Sequence, residues 1–179
     1  MKKIFLLLGM SGSGKTTISK ELVLRNSNIE HYSMGDKFRE IANQDKELAE
    51  YVFNGKRVPL EMSKKVIKSV VENFEKDIIL IDGYPRDLEQ MEFFSRLIIE
   101  NNLLLKNVFE IKIDDKMAKQ RVLDRHRGKD DNLEVFESRL KDYNYQMKDI
   151  RLYFKDILIE IEGNNETLKI VQTLDNLMF

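Results

Sequence analysis

The chain of 179 residues has no cysteine, no tryptophan, only two prolines and only eight glycines. Without cysteine there is neither a disulfide framework nor a thiolate zinc site, so no zinc is expected, and a reducing, cytoplasmic setting fits. An excess of one charge is missing too: 30 Lys and Arg stand against 31 Asp and Glu, a formal net charge of -1. That balance excludes a whole-chain basic surface, and neither nucleic acid nor a membrane is an expected partner. Long hydrophobic runs are absent as well. The opening MKKIFLLL is unbroken and apolar only from Ile4 to Leu8, shorter than the core of a signal peptide and far short of a membrane span. It reads as a buried strand.

No internal repeat, low-complexity tract or Pro/Gly/Ser linker divides the chain, so one domain over residues 1–179 is expected. A chain of this length should expose about 9,000 Å² of the roughly 31,000 Å² its unfolded form shows, enough burial for a full core. Short apolar runs at Lys3 to Leu8, Asp77 to Ile81, Val108 to Ile113 and Ile157 to Ile161, with a weaker one at Ile29 to Ser33, read as strands. Helical patterns lie between them, the clearest being Leu133, Phe136, Leu140, Tyr143, Met147 and Ile150 on one face. Strands alternating with helices predict an α/β fold, a five-stranded parallel sheet covered on both faces, with ligands beyond the carboxyl ends of the strands.

The glycines cluster where chemistry is expected. Gly9-Met10-Ser11-Gly12-Ser13-Gly14-Lys15-Thr16 matches the phosphate-loop pattern G-x-x-x-x-G-K-S/T, with a strand before it and a helical stretch from Lys15 to Leu24 after it. Glycines let backbone amides curl around phosphate oxygens, the helix start adds partial positive charge, Lys15 bridges the β- and γ-phosphates, and the Thr16 hydroxyl can reach Mg²⁺. The expected ATP contacts are Gly12, Ser13, Gly14, Lys15, Thr16 and Thr17. No Asn is followed by Lys, so the base-reading motif of GTPases is missing. The chain is short for a motor or transporter ATPase, which leaves small-molecule kinases.

An acceptor that is itself a phosphate would need a second anion seat opposite the phosphate loop, and planar guanidinium groups suit such a seat because they grip phosphate with two parallel hydrogen bonds. Asp82-Gly83-Tyr84-Pro85-Arg86 with Gln90 downstream, Gly35-Asp36 with Arg39, and Gly55-Lys56-Arg57-Val58-Pro59-Leu60-Glu61 together resemble the adenylate kinase family of nucleoside monophosphate kinases. The resemblance covers nearly the whole chain. It implies a P-loop NTPase fold with a monophosphate-binding helical segment at 33–62 and a short lid at 126–131. It also implies ATP, AMP and Mg²⁺ as ligands, a monomer, and the reaction ATP + AMP = 2 ADP. Arg39 and Arg86 would hold the monophosphate, with Ser33, Met34, Arg57, Val58, Gly83 and Gln90 also lining the AMP site. A carboxamide such as Gln90 can donate to and accept from adenine at once. Asp82 would orient Mg²⁺, through water, together with Thr16.

The resemblance further places Arg121 against the donor adenine and Arg125 at the transferring phosphate; their i, i+4 spacing puts both on one helix face. Arg127 and Arg139 complete the set of catalytic cations with Lys15 and Arg86. No general base is required, because the acceptor oxygen is already anionic at neutral pH. His31 and His126 are therefore expected to have packing or surface roles. The chain also departs from the family pattern. Met34 stands where Thr is usual, Thr16 where Gly is common, and Arg127 is displaced by one residue relative to Asp130. Met147-Lys148-Asp149 replaces a Thr-x-Pro helix break. A UMP/CMP or deoxynucleoside monophosphate kinase is the alternative enzyme, and a non-catalytic nucleotide-binding regulator the alternative of another class.

Overall fold

A computed structural model of the chain describes residues 1–125 and 128–179. In chain order the elements are β1 (Lys3–Leu8), α1 (Lys15–Arg25), β2 (Ile29–Ser33), α2 (Met34–Ala42), α3 (Lys46–Val52), α4 (Leu60–Asn73), β3 (Ile78–Asp82), α5 (Leu88–Glu100), β4 (Leu104–Lys112), α6 (Asp115–Asp124), α7 (Leu133–Tyr153), β5 (Leu158–Glu162) and α8 (Thr167–Met178). The five strands form one sheet in the order β2-β3-β1-β4-β5, with every pairing parallel.

Strand β1 shows why both faces must be covered. Side chains alternate across a sheet, and here both sets are apolar: Ile4, Leu6 and Leu8 enter one core, Phe5 and Leu7 the other. Strand β3 repeats the division, with Ile79 and Ile81 on the first side and Ile78 and Leu80 on the second. The first core is closed by Ile67 and Val70 of α4, Met91, Phe94 and Leu97 of α5, and Met147 and Ile150 of α7. The second is closed by Ile18 and Leu22 of α1 and by Ile170, Val171 and Leu174 of α8. A smaller cluster of Met10, Ile113, Ala118, Val122 and Phe136 joins the phosphate loop to α6 and α7. The folded surface is 9812 Å², close to the expectation from length. Among the described residues, no helix is long and apolar enough to cross a membrane.

Two boundaries differ from the sequence reading. Strand β4 begins at Leu104, four residues before the apolar run at Val108, because Leu104 and Leu105 pair with Lys3 and Ile4 before an irregularity restores register at Asn107. Backbone pairing needs no apolar side chain, so Lys106 and Asn107 hid this half of the strand. Helix α7 runs unbroken through Met147, Lys148 and Asp149 for 21 residues. With no proline there, every amide can donate along the helix and nothing forces a break.

Strand β1 has β3 on one side and β4 on the other, so the chain leaves in opposite directions from neighbouring strands. The crevice produced at the carboxyl ends is where open α/β sheets bind ligands. The loops after β1 and β3 both open into it.

Candidate active site

A cavity of about 440 Å³ lies at these strand ends, lined by the phosphate loop, α2, residues 55–58, the turn after β3, α6 and α7. On its first side, Gly12 has φ +86, and a Cβ built there would stand 2.3 Å from the Ala118 carbonyl oxygen. The loop therefore curls only because this residue has no side chain. Lys15 folds over the loop, donating to the carbonyls of Gly9 at 2.7 Å and Met10 at 2.9 Å and to Ser13 Oγ at 3.2 Å. Thr16 lies in the first turn of α1, and its hydroxyl donates to Asp82 Oδ2 across 3.1 Å. Arg121 of α6 leans over the loop, its Nη1 3.9 Å from the Cβ position of Gly14.

On the opposite side two guanidinium groups converge. A Cβ built on Gly35 would lie 3.4 Å from Arg39 Nη2 and 3.8 Å from Arg86 Nη2, so both cations point to one place over the start of α2. The surface of Arg86 opens to the cleft, yet protein surrounds it on the other sides. This crowding, reinforced by Arg139 and Arg39 and partly offset by Asp82, pushes its pKa down to about 10. It stays charged at neutral pH. The turn carrying Arg86 is locked by a reciprocal cap: Asp87 accepts from the Gln90 amide at 2.8 Å, while Gln90 Oε1 accepts from the Arg86 amide at 2.9 Å.

Behind these arginines Asp130 is buried, with one oxygen shared by Arg139 Nη2 at 2.8 Å and Arg39 Nη1 at 3.3 Å. Its other oxygen has no hydrogen-bond partner among the described residues. Arg139 also donates to the Val52 carbonyl at 3.0 Å. Burial lowers the Arg139 pKa, Asp130 opposes that shift, and Arg39 and Arg125 add to it. Arg125 reaches Asp131 through Nε at 2.6 Å and lies 3.4 Å from Ser11 Oγ in the phosphate loop. One cleft thus holds the phosphate loop with its lysine and, opposite, a guanidinium pair.

Residues 7–158 match the family model described as adenylate kinase. The chain is 40% identical to an adenylate kinase of Nautilia profundicola, over 99% of this chain and 97% of that protein. It is 39% identical to one of Nitratiruptor, over 98% and 95%, and 37% identical to one of Helicobacter pylori, over 97% and 95%. The chain belongs to the adenylate kinase family.

Most residues singled out from the adenylate kinase resemblance line the cleft: Gly12, Gly14, Lys15, Thr16, Thr17, Ser33, Arg39, Arg57, Val58, Asp82, Gly83, Arg86, Arg121, Arg125 and Arg139. Three do not. Ser13 is buried beneath the loop and accepts from Lys15. Met34 is fully buried in the first core, where its thioether replaces a hydroxyl that would need a partner. Gln90 is buried at the foot of α5, and its carbonyl oxygen accepts from the Arg86 amide and so supports the turn. Arg127 and His126 lie outside the described residues.

The sequence reading missed four residues. His31, expected to have a packing or surface role, lies in β2 with Nε2 2.9 Å from Asp82 Oδ2, a contact that places the proton on Nε2 when the carboxylate is ionised. Parallel pairing of β2 with β3 sets Ser33 beside Asp82 and leaves His31 two residues back on the same face. A polar residue at i−2 from the Ser-x-Gly-Asp segment was the available signal. Asp142 and Tyr143 of α7 also line the cavity, and Glu110 lies behind them in β4. Tyr143 donates to Glu110 at 2.5 Å, and Arg151 Nε and Nη2 donate to its two oxygens at 2.8 and 2.6 Å. A lone Glu inside an apolar run was the hint for this network.

Proposed function

We propose that this protein transfers the γ-phosphoryl group of ATP to AMP, giving two ADP. The observation that carries the reading is the pair of opposed anion seats in one cleft: the phosphate loop with Lys15, and the convergence of Arg39 and Arg86 over Gly35. ATP lies with its phosphates along the loop amides and Arg121 beside its base, and AMP presents its phosphate to the guanidinium pair. An acceptor phosphate oxygen attacks the γ-phosphorus, that bond forms as the bond to the bridging β–γ oxygen breaks, and ADP leaves with the electron pair. The acceptor oxygen is already anionic, so no side chain need remove a proton. Lys15, Arg125 and Arg139 then act on the charge spread over the phosphoryl oxygens, in a site where the lid segment 126–131 keeps water out.

Thr16 and Asp82 fit Mg²⁺: a hydroxyl and a carboxylate, both hard oxygen donors, lie within hydrogen-bond reach at the phosphate end of the cleft. Among the described residues no group of three or more His, Cys, Asp or Glu could form an all-protein cage. That sparseness suits an ion held mainly by nucleotide phosphates and water. When bound, the ion neutralises developing phosphate charge. Residues 33–62 serve as the monophosphate-binding segment of a single domain, and the enzyme works as a cytoplasmic monomer.

A coupled assay with saturating MgATP and AMP, GMP, CMP, UMP or dTMP tests the reading. AMP is the preferred acceptor, with a Lys15→Ala control reduced to background. Preference for a pyrimidine monophosphate overturns the AMP reading, and absence of turnover above the control overturns the enzyme.

A further inference from the structure

The stretch between α3 and α4 has no regular structure of its own, yet Gly55, Lys56, Arg57 and Val58 form one wall of the cleft. Its first two amides are committed inward, Gly55 to the Val52 carbonyl at 3.4 Å and Lys56 to the Tyr51 carbonyl at 2.8 Å. The amides of Arg57 and Val58 have no protein partner among the described residues, which leaves main-chain groups at the cavity edge available to a base. Irregular backbone of this kind is mobile unless something ties it down.

The tie is the Arg57 side chain. Its Nε donates to both oxygens of Asp142, at 2.9 and 3.1 Å, and its Nη1 donates to Asp87 Oδ2 at 3.1 Å. Asp87 caps α5 directly after Arg86, and Asp142 lies three residues beyond Arg139 on α7. The guanidinium therefore joins the wall to the two segments that carry phosphate-gripping arginines. The arrangement suits Arg, whose rigid planar fork grips Asp142 bidentately while its other edge meets Asp87, a geometry that the compact, rotatable ammonium of Lys does not reproduce. Hydrogen bonding by Asp142 also holds the Arg57 proton more tightly than usual, against the opposing effect of burial.

We propose that Arg57 is a positioning residue for acceptor-base selection: strung between Asp87 and Asp142, it fixes the Lys56–Val58 main chain relative to Arg86, so that only one base edge meets the free backbone groups in register. A wall held in place rejects a base whose donors and acceptors are misplaced, because polar groups are then left unpaired; a loose wall adapts to either base. The inference rests on the acceptor side of the proposed function.

The test compares the parent protein with Arg57→Met, Arg57→Lys and Asp142→Asn, each shown folded by circular dichroism and thermal melting. Arg57→Met raises the KM for AMP about tenfold and lowers the ratio of kcat/KM for AMP to that for CMP by a similar factor, while the KM for MgATP moves less than about twofold. AMP binding without ATP, measured by calorimetry, weakens in parallel. Arg57→Lys restores part of the loss, and Asp142→Asn reproduces it from the other end of the contact. An unmoved AMP KM and base ratio in an active protein overturns the inference alone, as does an equal rise in both KM values with a lowered melting point. A parent that forms no ADP from AMP overturns the functional reading and this inference together.

Discussion

The Thr16 hydroxyl donates to Asp82 across 3.1 Å, joining the helix after β1 to the end of β3. Because these strands are adjacent and parallel, their carboxyl ends deliver a hydroxyl and a carboxylate to one spot. If that spot receives Mg²⁺, Asp82→Asn raises the Mg²⁺ concentration for half-maximal activity about tenfold or more, Thr16→Ser leaves it nearly unchanged, and Thr16→Val shifts it upward. Titration of Mg²⁺ at fixed ATP checks this; equal requirements in all variants contradict it.

If Arg86 grips the acceptor phosphate, Arg86→Ala should lower kcat/KM by roughly a thousandfold, through loss of charged, bidentate donors. Its effect on stability should be small, because removing Arg86 also relieves its crowding with Arg139 and Arg39. The checks are steady-state kinetics and a thermal melt of the same preparation. A collapse of the melting temperature would make Arg86 structural.

Asp130 occupies Arg39 and Arg139 as a phosphate oxygen would, while its second oxygen is buried without a partner among the described residues. Removing its charge takes from Arg139 its described carboxylate partner and leaves Arg39 paired with Asp36 alone. Asp130→Asn is expected to melt earlier than the parent and to gain more from an added polyanion, so that saturating diadenosine pentaphosphate raises its melting temperature by several degrees more than it raises the parent's. A smaller gain in the variant contradicts that role.

The Glu110 network ties stability to acid. Burial alone would raise the Glu110 carboxyl, but hydrogen bonds from Arg151 and Tyr143 outweigh it and hold the pKa below the usual carboxylate value. A depressed folded-state pKa means stabilisation present above the unfolded value, near 4.5, and lost as pH falls through the folded one. Glu110→Gln should therefore cost about 2 kcal/mol at pH 7, discounted for the part-exposed Arg151, and flatten the fall in stability below about pH 4.5. Denaturant unfolding at several pH values measures both effects. Parallel pH profiles for parent and variant contradict the assignment.

The parallel sheet and the phosphate loop were readable because each leaves a dense local signature: apolar runs in β1 and β3, and eight consecutive residues from Gly9 to Thr16. The arginines became readable only as a set, through family resemblance. What escaped was set by registration between distant segments. The place of His31 before Ser33 marks it as a candidate, but its partner Asp82 is 51 residues away, and nothing near Arg57 announces Asp142, 85 residues away. Gln90 shows a contact that spacing alone does not give: its carbonyl oxygen accepts from the Arg86 amide and caps the turn between them. Local pattern gives the neighbours of a side chain along its own element; which atoms it touches across elements depends on strand register and helix rotation.

The central claim is that two nucleotides meet end to end in this single cleft. A crystal structure with diadenosine pentaphosphate and Mg²⁺ tests it most directly. The account predicts one adenosine beside Arg121, the other beside residues 55–58, and the phosphate chain running from Lys15 to Arg39 and Arg86; an inhibitor with only one adenosine inside the cleft contradicts it.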